Sequence, residues 1–324
     1  MSRHAEVPMK KPDLVISIVN HSNPELLHDC LRTLYATTRD SSFEVWIVDN
    51  ATGGRGVDAM RRDFPQVRWL FNTERKGFSA NHNQVLRQAR GRHFCIFNDD
   101  TIVHEGAFDA LVRFMDDNPR VGMAGARLLN ADGTIQNCTF RPMSLAGQLF
   151  DIVFLPRPLH FLKAMAIDPA QYGHDEARVS WVLGACIVVR EEALAEVGLL
   201  DEQMSPLGNT EDTDWCVRAW KAGWEVAFCP EAVITHLTSR SFRPSDTGAD
   251  KVRIELWRTR LAYFRKHHGR LHETAMRAIL VGTLPYNSAV LTQTLLRGRM
   301  SLPEYRKQLA TFLGISQMGL RARV

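Results

Sequence analysis

Four stretches of the sequence carry residue types that chemistry needs. Asn98-Asp99-Asp100 sets two adjacent carboxylates directly after the apolar run at 93–97. Neighbouring carboxylates repel each other and are costly to desolvate, so a site that keeps both ionised usually supplies a cation. A hard divalent ion, Mg2+ or Mn2+, suits a few carboxylates together with the oxygens of a diphosphate. A solvated turn uses the same three residues for no chemical purpose. Glu211-Asp212-Thr213-Asp214 is the second cluster. Thr210 is placed to cap a helix whose dipole favours acids in its first turn. Capping does not call for three carboxylates in four residues, and one that faced a cleft could act as general base toward a hydroxyl. His236 ends the run Ala232-Val233-Ile234-Thr235 and precedes Ser239 and Ser241. A neutral imidazole there is either a hydrogen-bonded structural residue or a co-ligand for a metal at Asp100. The fourth stretch, Gly77-Phe78-Ser79-Ala80-Asn81-His82-Asn83, leads from a turn into a helix, where backbone N–H groups and Asn side chains can meet phosphate or ribose oxygens. It has neither the Gly-x-Gly-x-x-Gly of a dinucleotide site nor the Gly-Lys-Ser/Thr of a phosphate loop.

These residues can meet only if the intervening elements bring strand ends together. The apolar runs at 14–19, 43–48 and 93–97 read as buried strands. Pro24 opens a helix in which Leu26, Leu27, Cys30, Leu31 and Leu34 recur at helical spacing, and residues 80–89 form another helix. Asp49-Asn50 and Gly53-Gly54 make a turn after the second strand. Strand alternating with helix implies an α/β fold, with a mostly parallel central sheet flanked by helices. Ligands in such sheets bind beyond the carboxyl ends of the strands, the edge where Asp49 and Asp99-Asp100 fall. Residues 182–189 read as a further buried strand, and 191–197 and 211–222 as helices, the latter ended by Gly223. The stretch 130–180, with several prolines and weak periodicity, is expected to hold a long loop, and residues 137–181 to shape specificity.

Three segments follow: an extension over residues 1–12, an α/β domain over 13–250, and a basic, mainly helical region over 251–324. The last carries 14 Lys and Arg against Glu255, Glu273 and Glu304, a net +11; a total of +4 then leaves residues 1–250 at −7. A basic tail on an acidic body expects an anionic neighbour, such as a phospholipid surface or a lipid pyrophosphate, or else a solvated helical face. Trp257, Leu261 and Phe264, interleaved with Arg258, Arg260, Arg265 and Lys266, read either as core packing, the commoner use of such a stripe, or as a face resting on a membrane. Hydrophobic residues at 45% with 23% charge exclude a disordered chain. The first twelve residues lack the apolar core of a signal peptide, and no stretch has the 18 or so uninterrupted apolar residues of a membrane span. The nearest, 275–296, is interrupted by Arg277, Pro285 and Asn287. Cys30, Cys95, Cys138, Cys186, Cys216 and Cys229 form no CxxC pair and read as buried reduced thiols. The expected location is cytoplasmic, with peripheral contact at the inner face of the cell membrane.

In this order the elements resemble the family-2 inverting glycosyltransferases of GT-A-type (Rossmann-like) fold, in particular their bacterial rhamnosyl- and galactofuranosyl-transferase branch. The matching text is VISIVNHSNPELLHDCLRTL, VWIVDNATG, NTERKGFSANHNQ, FCIFNDDT, GACIVVREEALAEVGLLDE, EDTDWCVRAWKAGW and VITHLTSRS, over roughly residues 13–242. Each motif is weak alone; seven in register are specific. The resemblance implies that Asp49 contacts the nucleotide base or ribose and that Asn98-Asp99-Asp100 occupies the Asp-x-Asp-like metal motif. Asn98 departs from that pattern at its first position, which puts Asn98 in doubt as a ligand and spares Asp100. Asp212, with Glu211, is implied as the catalytic base, His236 as co-ligand of the metal, and Gly184-Ala185 as the small residues beside the donor sugar. Further donor contacts are expected at Asn20, Asn72, Gly77, Phe78, Asn81 and Asp99. The implied reaction is metal-dependent, inverting transfer from a dTDP- or UDP-sugar to a hydroxyl of a glycan or polyprenyl-diphosphate-linked acceptor, with rhamnosyl transfer leading. No nucleic acid is expected among the partners. Two other classes share some features. A divalent-metal phosphohydrolase would usually need an early nucleophilic Asp or more closely spaced ligands, and a non-catalytic nucleotide-sugar-binding protein would have no use for Glu211-Asp212.

Overall fold

The computed structural model of the chain describes residues 11–21, 23–54, 56–155, 159, 177–204, 210–237 and 249–320. Strand β1 (Leu14–Asn20) is buried at every position, the mark of a strand covered on both faces. It pairs in parallel with β2 (Phe43–Asp49) and β4 (His93–Phe97), and β2 pairs in parallel with β3 (Arg68–Phe71). The helices α1 (Pro24–Thr37), α2 (Val57–Asp63) and α3 (Phe78–Gln88) make the crossovers, α1 with a proline in its first turn, where no intrahelical donor is lost. Beyond β4 come β5 (Thr101–Val103), α4 (Ala107–Asp117), β6 (Val121–Leu129), β7 (Thr139–Phe140), α5 (Leu145–Ile152), β8 (Ala177–Arg178), β9 (Trp181–Val182) and β10 (Cys186–Arg190). Then follow α6 (Glu191–Val197), α7 (Glu211–Lys221) and β11 (Glu225–His236). The main sheet has the order β3-β2-β1-β4-β10-β6-β11-β5, with β8 on β11, while β7 and β9 form a small separate sheet. β10 runs antiparallel to β4 and β6, and β5 antiparallel to β11; the other pairs in that order are parallel.

The strands depart from the expected strand over 182–189 and from regular geometry at three further places. The strand expected over 182–189 is two strands, because the chain turns at residues 183–185 and only β10 enters the main sheet. β3 is short and exposed at both ends. β6 contains glycines where strands normally avoid them, and both are sterically required: a Cβ on Gly122 would lie 2.6 Å from Cβ of Trp224, and one on Gly125 2.6 Å from Cβ of Val182. The register of β11 shifts between Cys229 and Val233, around Pro230, which has no N–H for the ladder.

The C-terminal region is helical: α8 (Ala249–Gly282), interrupted at Gly269 (φ 80°), then α9 (Leu284–Leu296) and α10 (Leu302–Leu320). These helices enclose a second core, separate from that of the sheet. Trp257, Leu261 and Phe264 lie inside it at 2%, 0% and 1% exposure, so of the two readings of that stripe the structure takes core packing. The interleaved cations are ion-paired as well: Arg258 with Glu255, Arg260 with Asp151 of α5 at 2.6 Å, Arg265 with Glu273, and Lys266 with Asp201 and Asp214. Ile152 of α5 also packs into this second core, and Asn287 Nδ2 donates to its carbonyl, so the helical region is fastened to the α/β body. All six cysteines are buried and free. No described helix is long and apolar enough to cross a membrane.

Candidate active site

The parallel strands β1, β2 and β4 end side by side, which places Asn20, Asp49 and Asn98-Asp99-Asp100 along one edge. Asn20 Nδ2 donates to Asp49 Oδ1 at 2.8 Å, and Thr52 adds its hydroxyl to Oδ1 at 2.5 Å and its N–H to Oδ2 at 3.3 Å. The turn that brings Thr52 back contains Ala51 at φ 56°, a left-handed conformation that a residue with a Cβ adopts only when its surroundings impose it. His21 N–H reaches Asp99 Oδ2 at 3.4 Å, joining the two carboxylate positions. Burial pushes the His21 imidazole below its ordinary pKa, Arg75 adds to that, and Asp100 opposes it.

His236 arrives from the far side of the sheet. After the shift around Pro230, β11 pairs with β5 so that His236 stands opposite Thr101, and Leu237 N–H donates to Asp100 O at 2.9 Å. His236 Nε2 thereby lies 3.4 Å from Asp100 Oδ1 and 3.1 Å from Asn98 Nδ2. Its Nδ1 is 2.8 Å from Gln136 Oε1, an acceptor that fixes the proton on Nδ1 and turns the Nε2 lone pair toward Asp100. Asn98 Nδ2 donates to that lone pair, and a cation held between the imidazole and Asp100 would take the place of that donor. Two ligands of one octahedral ion stand about 3 Å apart, so the Asp100–His236 pair fits Mg2+ or Mn2+ in spacing and donor chemistry. Among the described residues no three His, Cys, Asp or Glu side chains converge as a closed cage. A pair suits an ion that completes its shell with diphosphate and water. Asn98 Nδ2 and Gln136 Oε1 thus both contact the His236 imidazole, and the loop sequence around Gln136 gives no signal of it.

The second acidic cluster divides three ways. Glu211 Oε2 accepts the N–H of Thr210 at 2.9 Å, closing on its own helix start. Asp214, fully buried, meets Arg218 at 2.9 Å and both Lys266 and His267 of α8 at 2.7 Å. Asp212 accepts main-chain N–H groups, Gly184 on Oδ2 at 3.0 Å and Thr213 on Oδ1 at 2.7 Å. Burial pushes the Asp212 carboxyl up, only in part offset by those hydrogen bonds. A Cβ on Gly184 would stand 3.5 Å from Asp212 Oδ2 and 3.6 Å from Phe78 Cζ, so the absent side chain leaves open the space between the acid and the aromatic ring. Ala185 O in turn accepts the N–H of Asn98 at 3.1 Å. Main-chain bonds through Gly184-Ala185 thus connect the Asp212 helix to the Asn98-Asp99-Asp100 strand end.

Asn72 and Asn81 are tied to each other, Asn72 Nδ2 donating to Asn81 Oδ1 at 2.7 Å, and Asn81 Nδ2 to Lys76 O at 3.1 Å. With Asn50, whose Oδ1 accepts from Lys76 N–H at 2.8 Å, they form an amide brace under the turn that starts α3 at Gly77. Ser239, Ser241 and, of the loop expected to set specificity, residues 156–158 and 160–176 lie outside the described residues.

A mostly parallel sheet of this order flanked by helices is the fold of GT-A-type glycosyltransferases. A mannosyltransferase from Pyrobaculum calidifontis, solved in complex with GDP-Man and Mn2+, matches it with a TM-score of 0.56 over 97% of this chain and 88% of its own, at 17% identity. GalNAc-T7, solved with UDP, GalNAc and Mn2+, gives 0.54 over 80% and 51%, at 14% identity. The likeness to both is one of fold. A model of the family described as glycosyltransferase like family 2 matches residues 12–248, and the chain belongs to that family: it is a glycosyltransferase. The O-antigen biosynthesis protein RfbC of Myxococcus xanthus is 27% identical over 78% of this chain, which spans 19% of that protein's length. The N-acetylglucosaminyl-diphospho-decaprenol L-rhamnosyltransferase of Mycobacterium tuberculosis is 25% identical over 87% of this chain and 94% of its own.

Proposed function

We propose that the protein is an inverting, divalent-metal-dependent transferase that moves a rhamnosyl group from a dTDP- or UDP-sugar to a hydroxyl of a polyprenyl-diphosphate-linked or glycan acceptor in cell-surface polysaccharide synthesis. The observation that carries this reading is the setting of Asp212, a half-buried carboxylate held by two main-chain N–H groups beside the gap at Gly184. A carboxyl raised by burial is a better proton acceptor near neutral pH than an ordinary one. Asp212 takes the proton of the acceptor hydroxyl as its oxygen bonds to the anomeric carbon; the bond from that carbon to the diphosphate oxygen breaks on the opposite face, and configuration inverts. Asp49, held by Asn20 and Thr52, presents its carboxylate to the nucleoside, and the turn at Gly77-Phe78 lies beside the donor. Asp100 and His236 would hold the metal, which when bound neutralises charge on the departing nucleoside diphosphate. The sugar and the lipid-linked acceptor are supported by the mycobacterial relative, whose name states both, and the metal by the Mn2+ in both structural neighbours.

The test is thermal shift and calorimetry with dTDP-, UDP- and GDP-sugars, with and without Mn2+. A dTDP- or UDP-sugar at about 100 times its Kd should stabilise the protein by about 2.7 kcal/mol. That effect should depend on Mn2+, and Asp100→Ala should remove the dependence. Affinity indifferent to Mn2+, or to the Asp100 substitution, overturns the metal assignment; stabilisation by GDP-sugars alone overturns the donor.

A further inference from the structure

The side of the C-terminal helices turned away from the second core carries large apolar side chains in the open. Leu296, at the end of α9, is 82% exposed; Leu302, at the start of α10, 49%; Leu313 and Leu320 follow at 42% and 71%. Along α10 these leucines share one side at helical spacing with Arg306, while Phe312, Ile315 and Met318 fill the core on the other. The turn between the two helices is rimmed by exposed Arg297, Arg299, Arg306 and Lys307. Glu304, the sole acid over 284–320, is occupied in a helix cap, accepting from the N–H and hydroxyl of Ser301 at 2.9 and 2.8 Å.

We propose that the α9–α10 hairpin is a membrane-docking face. Its cations engage anionic phospholipid headgroups while Leu296 and Leu302 enter the boundary with the acyl chains. Two features select a lipid surface over a second copy of the chain. A symmetric dimer would set the same four cations against themselves with Glu304 already committed, whereas an anionic bilayer complements them. The leucines stand beside a turn, a shape suited to shallow insertion. The region 251–324 then has two separate uses: its aromatic stripe packs the second core, and its outer leucines meet lipid. This goes beyond the transfer reaction and does not need the acceptor to be lipid-linked.

The experiment is cosedimentation of the full chain with vesicles of phosphatidylglycerol and phosphatidylcholine, and with phosphatidylcholine alone. The vesicles contain neither donor nor acceptor, so the outcome is independent of the transfer reading. Binding should favour the anionic vesicles and weaken in high salt. The double variant L296S/L302S should bind about tenfold more weakly, and R297Q/R299Q/R306Q should lose the preference for anionic lipid. Both alter exposed positions, so unchanged melting temperatures show that the fold is intact. Absence of binding, equal binding by the wild type and both variants, or a dimer in sedimentation velocity that L296S/L302S dissolves without any vesicle binding would each overturn the proposal.

Discussion

The carboxyl edge of the sheet and the junction between α7 and α8 both bury aspartates, and they satisfy them by opposite means. At the edge the donors are dipoles: the Asn20 amide and Thr52 for Asp49, main-chain N–H groups for Asp99 and Asp212. At the junction they are cations, with Arg218 and Lys266 gathered on Asp214 beside a hydrogen bond with His267, and Lys266 reaching on to Asp201. Asp212 and Asp214 are two positions apart on one helix, which points them to opposite sides. Burial raises the Asp212 carboxyl; the Asp214 carboxyl is also pushed up by burial, but the hydrogen bond from His267 and the charges of Arg218 and Lys266 outweigh that and hold it at about 2. A carboxylate answered by dipoles keeps affinity for a proton or metal ion brought by a ligand. One matched by cations has already spent its charge on the fold.

Substitution can break each side of that contrast. Asp212→Asn keeps the shape and removes the base. Turnover should fall about a thousandfold, with donor affinity by calorimetry within about twofold of wild type, and near-normal turnover would return Asp212 to a structural role. Asp214→Asn leaves the partly exposed Arg218 and Lys266 facing a neutral amide, and losing the buried partner of such a cluster costs about 2 kcal/mol once solvent screening is allowed for. Urea unfolding should show that loss, while turnover of the folded fraction falls far less than for Asp212→Asn. Unchanged stability with turnover as low as in Asp212→Asn would exchange the two roles.

The two regions also differ in how much the sequence discloses. β1, β2 and β4 are legible because each is an apolar run bounded by turn residues, and their parallel order puts Asp49 and Asp100 on one edge by rule. The contact of Asp100 with His236 is implied by the resemblance but not by periodicity, because it depends on a register set by the irregularity at Pro230, and periodicity carries no register. Gln136 sits in a loop whose residue types say nothing of an imidazole across the sheet. At the junction, helical spacing shows that Trp257, Leu261 and Phe264 share a face; what covers that face is decided by α5, α9 and α10, far along the chain. The separate fates of Asp212 and Asp214 likewise appear only when α8 is in place.

The smallest expected effect separates the regions by pH. Beneath the edge, His82 places Nδ1 2.8 Å from Ser17 Oγ and its ring against Phe78. Burial, followed by the charge of His21, holds its pKa at about 3, down from the ordinary 6.5. The folded state therefore refuses a proton that the unfolded chain accepts once pH falls below 6.5, and stability declines from there toward pH 3. At pH 5 the loss is about 2 kcal/mol. Asp214 has the opposite charge type: its stabilisation is complete above about 4 and is lost only as pH falls from there to about 2. Unfolding in urea at pH 7 and pH 5 should then show a drop in the wild type that His82→Gln, which keeps a polar group toward Ser17 without a titrating ring, reduces by about 2 kcal/mol, and that Asp214→Asn leaves in place. If His82→Gln loses as much stability as the wild type over that interval, the acid sensitivity of the edge does not come from His82.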